Sequence, residues 1–259
     1  MRAAGGLARD ILLETAQAIR PGVTTGEIDA FAAELMRKND CTSAFLNYKG
    51  FPGNVCISIN EEVVHGIGGA RPVQYGDIVK IDVGIFKDGW VGDNALTVPV
   101  GDIKPEVRKL LSITEEALHI GIDHARDGLM LGDLSNSIER HVVENGFTVV
   151  RNFVGHGVGK KLHEDPQVPN HGRKGTKPRL RAGMVLAIEP MVNLGVGATK
   201  TLSDDWTVVT QDGLPSAHYE HTVLITKGDP EILTWREPSA GLNLPETFEG
   251  MRKSLISSE

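Results

Sequence analysis

The spacing of apolar positions predicts two helices at the start of the chain. Ile11, Leu12, Thr15, Ala18 and Ile19 recur at helical intervals, and Pro21-Gly22 closes that segment. Thr24 and Glu27 have the spacing of a capping box, placed just ahead of a second helix over residues 28–37. Its apolar residues Ile28, Phe31, Ala32, Leu35 and Met36 form one stripe predicted to face a core. The period then changes. After a Gly/Pro loop over 48–53, residues 55–59 read as a strand. Residues 77–86 and 90–98 flank Lys87-Asp88-Gly89, which is a strong hairpin pattern. Two more helices are predicted over 105–126 and 133–144. Beyond them, short β segments at 148–150, 184–188, 206–210 and 218–226 alternate with Gly/Pro loops. No repeat, low-complexity linker or composition break divides the chain, so one compact α+β domain is expected over residues 1–236. Periodicity fades afterwards, and an irregular extension is predicted over 237–259.

Composition and charge narrow the function. The chain has 259 residues, enough for a sizeable core. With 27 basic and 34 acidic side chains the net charge is −7, which argues against a nucleic-acid wrapper held by phosphate neutralisation. The two cysteines, Cys41 and Cys56, exclude a disulfide scaffold or a four-thiolate zinc site and fit a reducing compartment. Asp10 and Glu14 interrupt the apolar pattern of the first segment, so no secretory signal is expected. Nowhere do about 18 apolar residues run together, so no membrane span is expected. A soluble, cytoplasmic protein follows from these features.

Candidate chemistry begins in the hairpin. Asp82 lies in the apolar run Ile81-Asp82-Val83, where a charge is expensive unless it is paired or bound to a metal. Asp93 is 11 positions further on, across the turn. An odd separation around an even-numbered loop puts both side chains on one face as cross-strand neighbours. Carboxylates so close repel unless a cation lies between them. Taken alone, the hairpin fits equally a surface ribbon with solvated acids, and Asp77 and Asp88 keep that reading.

Further segments change the balance. Gly155-His156-Gly157-Val158-Gly159 flanks an imidazole with glycines that let backbone approach it. His163-Glu164-Asp165-Pro166 places a second histidine in a loop. Glu189 ends the apolar run before Pro190, and Glu220 precedes the run His221-Thr-Val-Leu within a predicted strand. Singly, each is more often a satisfied structural group. Together Asp82, Asp93, His156, Glu189 and Glu220 make four carboxylates and one imidazole embedded in β segments. Mn, Fe, Co and Zn all accept that donor set. Four carboxylates exceed what one ion usually takes, which points to two ions sharing bridging carboxylates. His221 should face the other side of its strand from Glu220 and is read as structural.

These residues sit in strings that resemble type I methionine aminopeptidases: Tyr48-Lys-Gly-Phe-Pro, Asn60-Glu-Glu-Val-Val-His65-Gly-Ile, Lys80-Ile-Asp82-Val, Gly92-Asp93, Gly155-His156-Gly157-Val-Gly, His163-Glu-Asp-Pro-Gln-Val, Ile188-Glu189-Pro190-Met and Tyr219-Glu220-His221-Thr. They occur in order from about Leu7 to Thr234, and all five ligand positions match, with gaps of 11, 63, 33 and 31 residues. The resemblance implies a pita-bread fold, a curved antiparallel β-sheet backed by helices in two quasi-symmetric halves. It implies removal of the initiator methionine from nascent chains with a small second residue. Asp82 would chelate one ion, Asp93 and Glu220 would bridge both, and His156 and Glu189 would complete the second. Glu189 would act as general base, His163 would stabilise the oxyanion, and His65 would contact the scissile amide nitrogen or the peptide backbone. Tyr48, Phe51, Cys56 and Trp206 occupy the positions of the methionine slot.

The same resemblance implies two divalent ions (Co, Mn, Fe or Zn), a monovalent cation held by backbone carbonyls near Asn60, nascent N-termini and the ribosomal exit as partners, and a monomer. Neither nucleic-acid specificity nor a membrane partner is implied. Some positions depart from the family pattern. Asn94-Ala95 follows Asp93 where Thr is usual, Gly68 replaces a common Pro, and Phe45 and Phe51 replace frequent Cys and Tyr. The two phenylalanines are expected to reshape the slot. Two alternatives share the ligand set or the fold: a proline-directed aminopeptidase or prolidase, which normally carries a large extra N-terminal domain, and a non-catalytic pita-bread binding protein, which typically loses ligands.

Overall fold

The structure, a computed structural model, describes residues 1–235. The extension predicted over 237–259 lies outside the described residues. Helix α1 (Arg2–Gln17) and helix α2 (Thr25–Lys38) open the chain. The capping box forms as predicted: Glu27 N donates to Thr24 Oγ1 at 3.2 Å, and Thr24 N donates to the Glu27 carboxylate at 2.8 Å. The buried stripe of α2 is Ile28, Ala32, Leu35 and Met36. Phe31 departs from the prediction at 36 % exposed. It lies at the edge of the stripe, where the helix has begun to turn toward solvent.

Five strands follow in this half: β1 (Thr42–Ser43), β2 (Cys56–Ile59), β3 (Glu62–Val64), β4 (Ile78–Lys87) and β5 (Trp90–Pro99). The hairpin β4–β5 closes on Asp88 and Gly89, with φ of 52° and 77°. Positive φ at both central residues is what a two-residue turn between right-twisted strands requires. Strands β1, β4 and β2 form one antiparallel sheet with β5 added on β4, and α1 packs across β4 and β5.

The second half repeats the plan. Helices α3 (Pro105–Asp123) and α4 (Leu131–Glu144) pack on each other. They precede β6 (Thr148–Val149), β7 (Gly155–Gly157), β8 (Glu164–Val168), β9 (Val185–Ile188), β10 (Met191–Asn193), β11 (Thr199–Thr201), β12 (Val208–Thr210), β13 (Ser216–His218), β14 (His221–Leu224) and β15 (Glu231–Ile232). An antiparallel sheet runs β15-β14-β9-β7-β8, with smaller sheets β13-β10-β6 and β11-β12-β3. Pairs of helices backing antiparallel sheets in each half bear out the α+β, pita-bread expectation. One apolar core joins the halves, with Leu12, Ile81, Leu111, Ile138 and Val223 all buried in it.

The halves are stitched along β5. Glu220 N donates to Ala95 O at 2.9 Å and Thr222 Oγ1 donates to Asp93 O at 2.7 Å. Thr97 Oγ1 donates to His218 O at 2.8 Å while accepting from His218 N at 3.0 Å. This bridging splits the strand predicted over 218–226: Glu220 falls between β13 and β14 and pairs instead with Ala95 of the other half. The strand predicted from Trp206 begins only at Val208, because the Asp204 carboxylate accepts from Trp206 N and Thr207 N and holds a turn there.

Candidate metal centre and active site

The sequence folds five donors onto the seam. Asp82 on β4 pairs with Ala95 and Asp93 on β5 pairs with Gly84, so the two carboxylates share a face as diagonal neighbours rather than direct partners. His156 is the centre of β7. Glu189 follows β9, its carbonyl accepting from Asn170 Nδ2 at 3.0 Å. Glu220 reaches the seam through its bridge to Ala95. His156 Nδ1 donates to Gly157 O at 2.9 Å, which leaves Nε2 to point at Asp93 Oδ2 (3.8 Å) and Glu189 Oε1 (3.5 Å). Ligand atoms of Asp93, His156 and Glu220 lie within 4.8 Å of one another, and Asp82 and Glu189 line the same cavity of about 220 Å³.

Electrostatics show what this arrangement is fit to hold. Asp93 is 3 % exposed, and burial pushes its carboxyl up to about 7. Asp82, Glu189 and Glu220 are driven well above the ordinary range, first by burial and then by the charge of neighbouring carboxylates, Asp93 acting on all three. Burial pulls His156 down to about 4, so it is a neutral imidazole at pH 7. Asp82 Oδ1, Asp93 Oδ1 and Glu220 Oε1 are buried with no hydrogen-bond partner. Orphaned, mutually repelling carboxylate oxygens beside a neutral nitrogen fit divalent cations, because a cation supplies both the missing partner and the missing charge.

The two further histidines stand at the same cavity. His163 is hydrogen-bonded through Nδ1 to Tyr48 OH at 2.9 Å, stacks on that ring at 5.2 Å, and lies 4.2 Å from the His156 ring. His65, in backbone with φ 60°, sits edge-on to Phe153 (5.5 Å) and Trp206 (6.3 Å), and burial lowers it to about 4. An apolar slot adjoins: Phe45, Phe51, Cys56 and Leu162 are buried in one cluster with Tyr48 and Trp206 packed against it. Phe51 and Trp206 meet edge to face at 5.2 Å.

All eleven site residues predicted from the sequence therefore line one cavity. Sequence reasoning left out Phe153, Leu162 and Met191, which also line it. Each looks like an ordinary core residue in the sequence. It also left out His218, buried with Nε2 3.8 Å from Glu189 Oε2. His221 faces away as expected, with Nδ1 hydrogen-bonded to Thr234 Oγ1 at 2.8 Å. Near Asn60, where the resemblance places backbone carbonyls around a monovalent cation, the Asn60 carbonyl accepts from Lys80 Nζ at 2.7 Å.

Comparison with known proteins decides the family. Residues 1–227 match the model of metallopeptidase family M24. The chain belongs to this family. As an M24 metallopeptidase it is a hydrolase with a divalent-metal cofactor, which agrees with the buried donor set. This M24 chain is 51 % identical to the methionine aminopeptidase of Clostridium perfringens over 234 residues, covering 90 % of this chain and 94 % of that one. It is 48 % identical to methionine aminopeptidase 1 of Bacillus subtilis, with the same coverage. Among solved structures, the methionine aminopeptidase of Thermotoga maritima superposes with a TM-score of 0.90 at 43 % identity, covering 91 % of this chain and 95 % of the other. The pita-bread fold extends to the prolidase of Pyrococcus furiosus, at a TM-score of 0.74 and 24 % identity. Among the described residues no helix is long and apolar enough to cross a membrane.

Proposed function

We propose that this M24 hydrolase removes the N-terminal methionine from nascent proteins and peptides whose second residue is small. The observation that carries the reading is the adjacency of the buried donor set to an apolar, aromatic-lined slot. A slot walled by Phe51, Tyr48 and Trp206 suits an unbranched thioether, because sulfur gains from aromatic contact and the flexible chain fills an irregular gap. Tyr48, His163 and His65 line the same cavity as the carboxylates, where a peptide's first amide bond would lie.

Asp82, Asp93, His156, Glu189 and Glu220 would hold two divalent ions, with Asp93 and Glu220 shared between them. Mn, Fe, Co and Zn are compatible with these donors, and availability in the cell selects among them. When bound, such ions supply Lewis acidity that makes a water acidic and a peptide carbonyl electrophilic. Glu189 takes the proton of the attacking water and passes it to the departing amine. Burial, then the charges of Asp82 and Asp93, hold its carboxyl high in the metal-free chain, and bound cations would bring it down to the carboxylate that a base must be. His163 donates to the oxygen that gains charge in the transition state. His65 contacts the scissile amide nitrogen or the peptide backbone. The partners on this reading are nascent polypeptide N-termini at the ribosomal exit, met by a monomer in the cytoplasm.

The test is methionine release from Met-Ala-Ser by chelator-treated protein, with and without added Co or Mn, alongside Xaa-Pro peptides. Metal-dependent release from Met-Ala-Ser alone supports the reading. Cleavage of the Xaa-Pro peptides would replace it with a proline-directed activity, and silence on both with metal shown bound would replace it with a binding role.

A further inference from the structure

The cavity that holds the five donors continues into an open groove of about 710 Å³. His156, His163, Lys49 and Val154 line both, and Lys161, Asp165 and Gln167 carry the groove onward. The slot walls Phe45, Phe51, Cys56 and Trp206 line the cavity but not the groove. With a first side chain in that slot and the first amide bond at the donors, the groove is the adjoining space for residues beyond the second.

Its charge is uneven. Lys49 stands where cavity and groove meet, its ammonium 5.4 Å from the centre of the Tyr48 ring, and the Tyr48 hydroxyl is hydrogen-bonded to His163. The lysine sits in left-handed backbone at φ 51°, a conformation that costs energy for a residue with a side chain. Backbone hydrogen bonds hold its turn: Tyr48 N donates to Phe45 O at 2.8 Å, and Asn47 N donates to Phe51 O at 2.8 Å. Lys161 lies between β7 and β8 and is exposed. Among the described residues neither lysine has an ion-pair partner, whereas the neighbouring Lys160 lies over the Trp90 ring at 5.5 Å. Glu164 is folded back onto its own turn, with Oε1 accepting from Lys161 N at 2.9 Å and the carboxylate packed against Gly159. Asp165 lies further out, where the groove meets a cleft that His171 and Lys177 also line. The end of the groove next to the cavity therefore presents two ammonium groups that no described acid pairs, in a chain whose net charge is −7.

A cleft lined by one sign of charge attracts the other. We propose that Lys49 and Lys161 are specificity-determining residues that read the third and fourth residues of the substrate, favouring acidic side chains there over basic ones. The proposal rests on the peptidase reading and adds a substrate class to it. An exposed charge pair gains little, so the preference is a few-fold for each residue and is screened by salt.

The experiment compares kcat/KM of the Mn-loaded protein on Met-Ala-Asp-Asp-amide, Met-Ala-Ser-Ser-amide and Met-Ala-Lys-Lys-amide, the amide removing the terminal carboxylate. Wild type is expected to favour the acidic over the basic peptide about fivefold or more at low salt, and to lose that preference in about 1 M NaCl. A Lys49→Gln/Lys161→Gln double variant should bring the two within about twofold while the Ser-Ser peptide is cleaved nearly as by wild type. Lys49→Glu/Lys161→Glu should reverse the order. A purely structural role would instead shift all three peptides alike. Equal wild-type rates on the charged peptides, or a preference that survives in the Gln variant, overturns the proposal. If none of the three is cleaved, the peptidase reading fails, and calorimetric binding of the same peptides decides: the acidic-first order, lost in the Gln variant, upholds the charge-reading groove, and its absence overturns both.

Discussion

Acidification should drive metal out of this site with a steepness that can be worked from Asp93. In the metal-free protein burial holds that carboxyl at about 7 instead of 3.8, and Asp82, Glu189 and Glu220 stand well above their ordinary values. A metal ligand must be deprotonated, so binding below pH 7 displaces at least the Asp93 proton. Each pH unit below 7 then weakens binding about tenfold, or about 1.4 kcal/mol, for that one proton. Between pH 7 and pH 5 the loss is about 100-fold from Asp93 alone, and the other three carboxyls add to it. His156 contributes nothing in that window, because burial has already lowered it to about 4. Titration with Mn against a competing chelator, repeated calorimetrically in buffers of different ionisation enthalpy, measures both the slope and the protons released. An affinity that stays within about threefold from pH 5 to 7, with no proton release, would refute the burial argument. The same shifts give a stability signature. A carboxyl with a raised folded value stabilises the metal-free fold at low pH and loses that contribution as pH rises, whereas histidines held low by burial (His65, His156 and His218) do the reverse below 6.5. Above 6.5 the histidine contribution is complete. Only Lys80, lowered to about 7, then opposes several carboxyls, so the metal-free Tm should fall from pH 6.5 to 8.

Other perturbations test separate parts of the reading. Glu189→Ala should abolish turnover while the circular dichroism spectrum stays close to wild type; near-native activity would remove Glu189 from its role as base and ligand. His163→Ala should lower kcat by about 100-fold or more, as for loss of an oxyanion donor. An unchanged kcat with a raised KM would make His163 a substrate-positioning group instead. Thr24→Ala removes the acceptor for Glu27 N and should cost about 1 kcal/mol, seen as a Tm drop of roughly 2–4 °C with kcat unchanged.

Legibility in the sequence followed the length of each regular element. The hairpin could be read because two long β runs flank Lys87-Asp88-Gly89, and a period of two with an even-numbered loop puts Asp82 and Asp93 on one face. The diagonal offset between them depended on the turn using two residues, which the pattern Lys87-Asp88-Gly89 left open. The capping box was local chemistry and therefore readable. The second half was harder, because its strands are only two to five residues long and carry too few alternations to fix their ends. Glu220 reads as a strand residue, yet its position is set by Ala95, a backbone partner far away in the chain that no local pattern announces. Phe31 shows the same limit in a helix, since the edge of a stripe is decided by what packs beside it. The walls of the slot became readable only through resemblance to a family, as an aromatic residue in a pocket and one in a core look alike along the chain.

Asp82 and Asp93 are contributed before α3 begins, and His156, Glu189 and Glu220 after α4 ends. The hydrogen bonds that bring the two groups together span 121 to 129 residues of chain. During synthesis the first two donors exist long before the last, and the docking surface of β5 has nothing to receive until residues 218–222 arrive. An unfinished or truncated copy therefore carries two, three or four donors and no shared cavity. Competence to cut therefore depends on the last donor to be made as much as on the first.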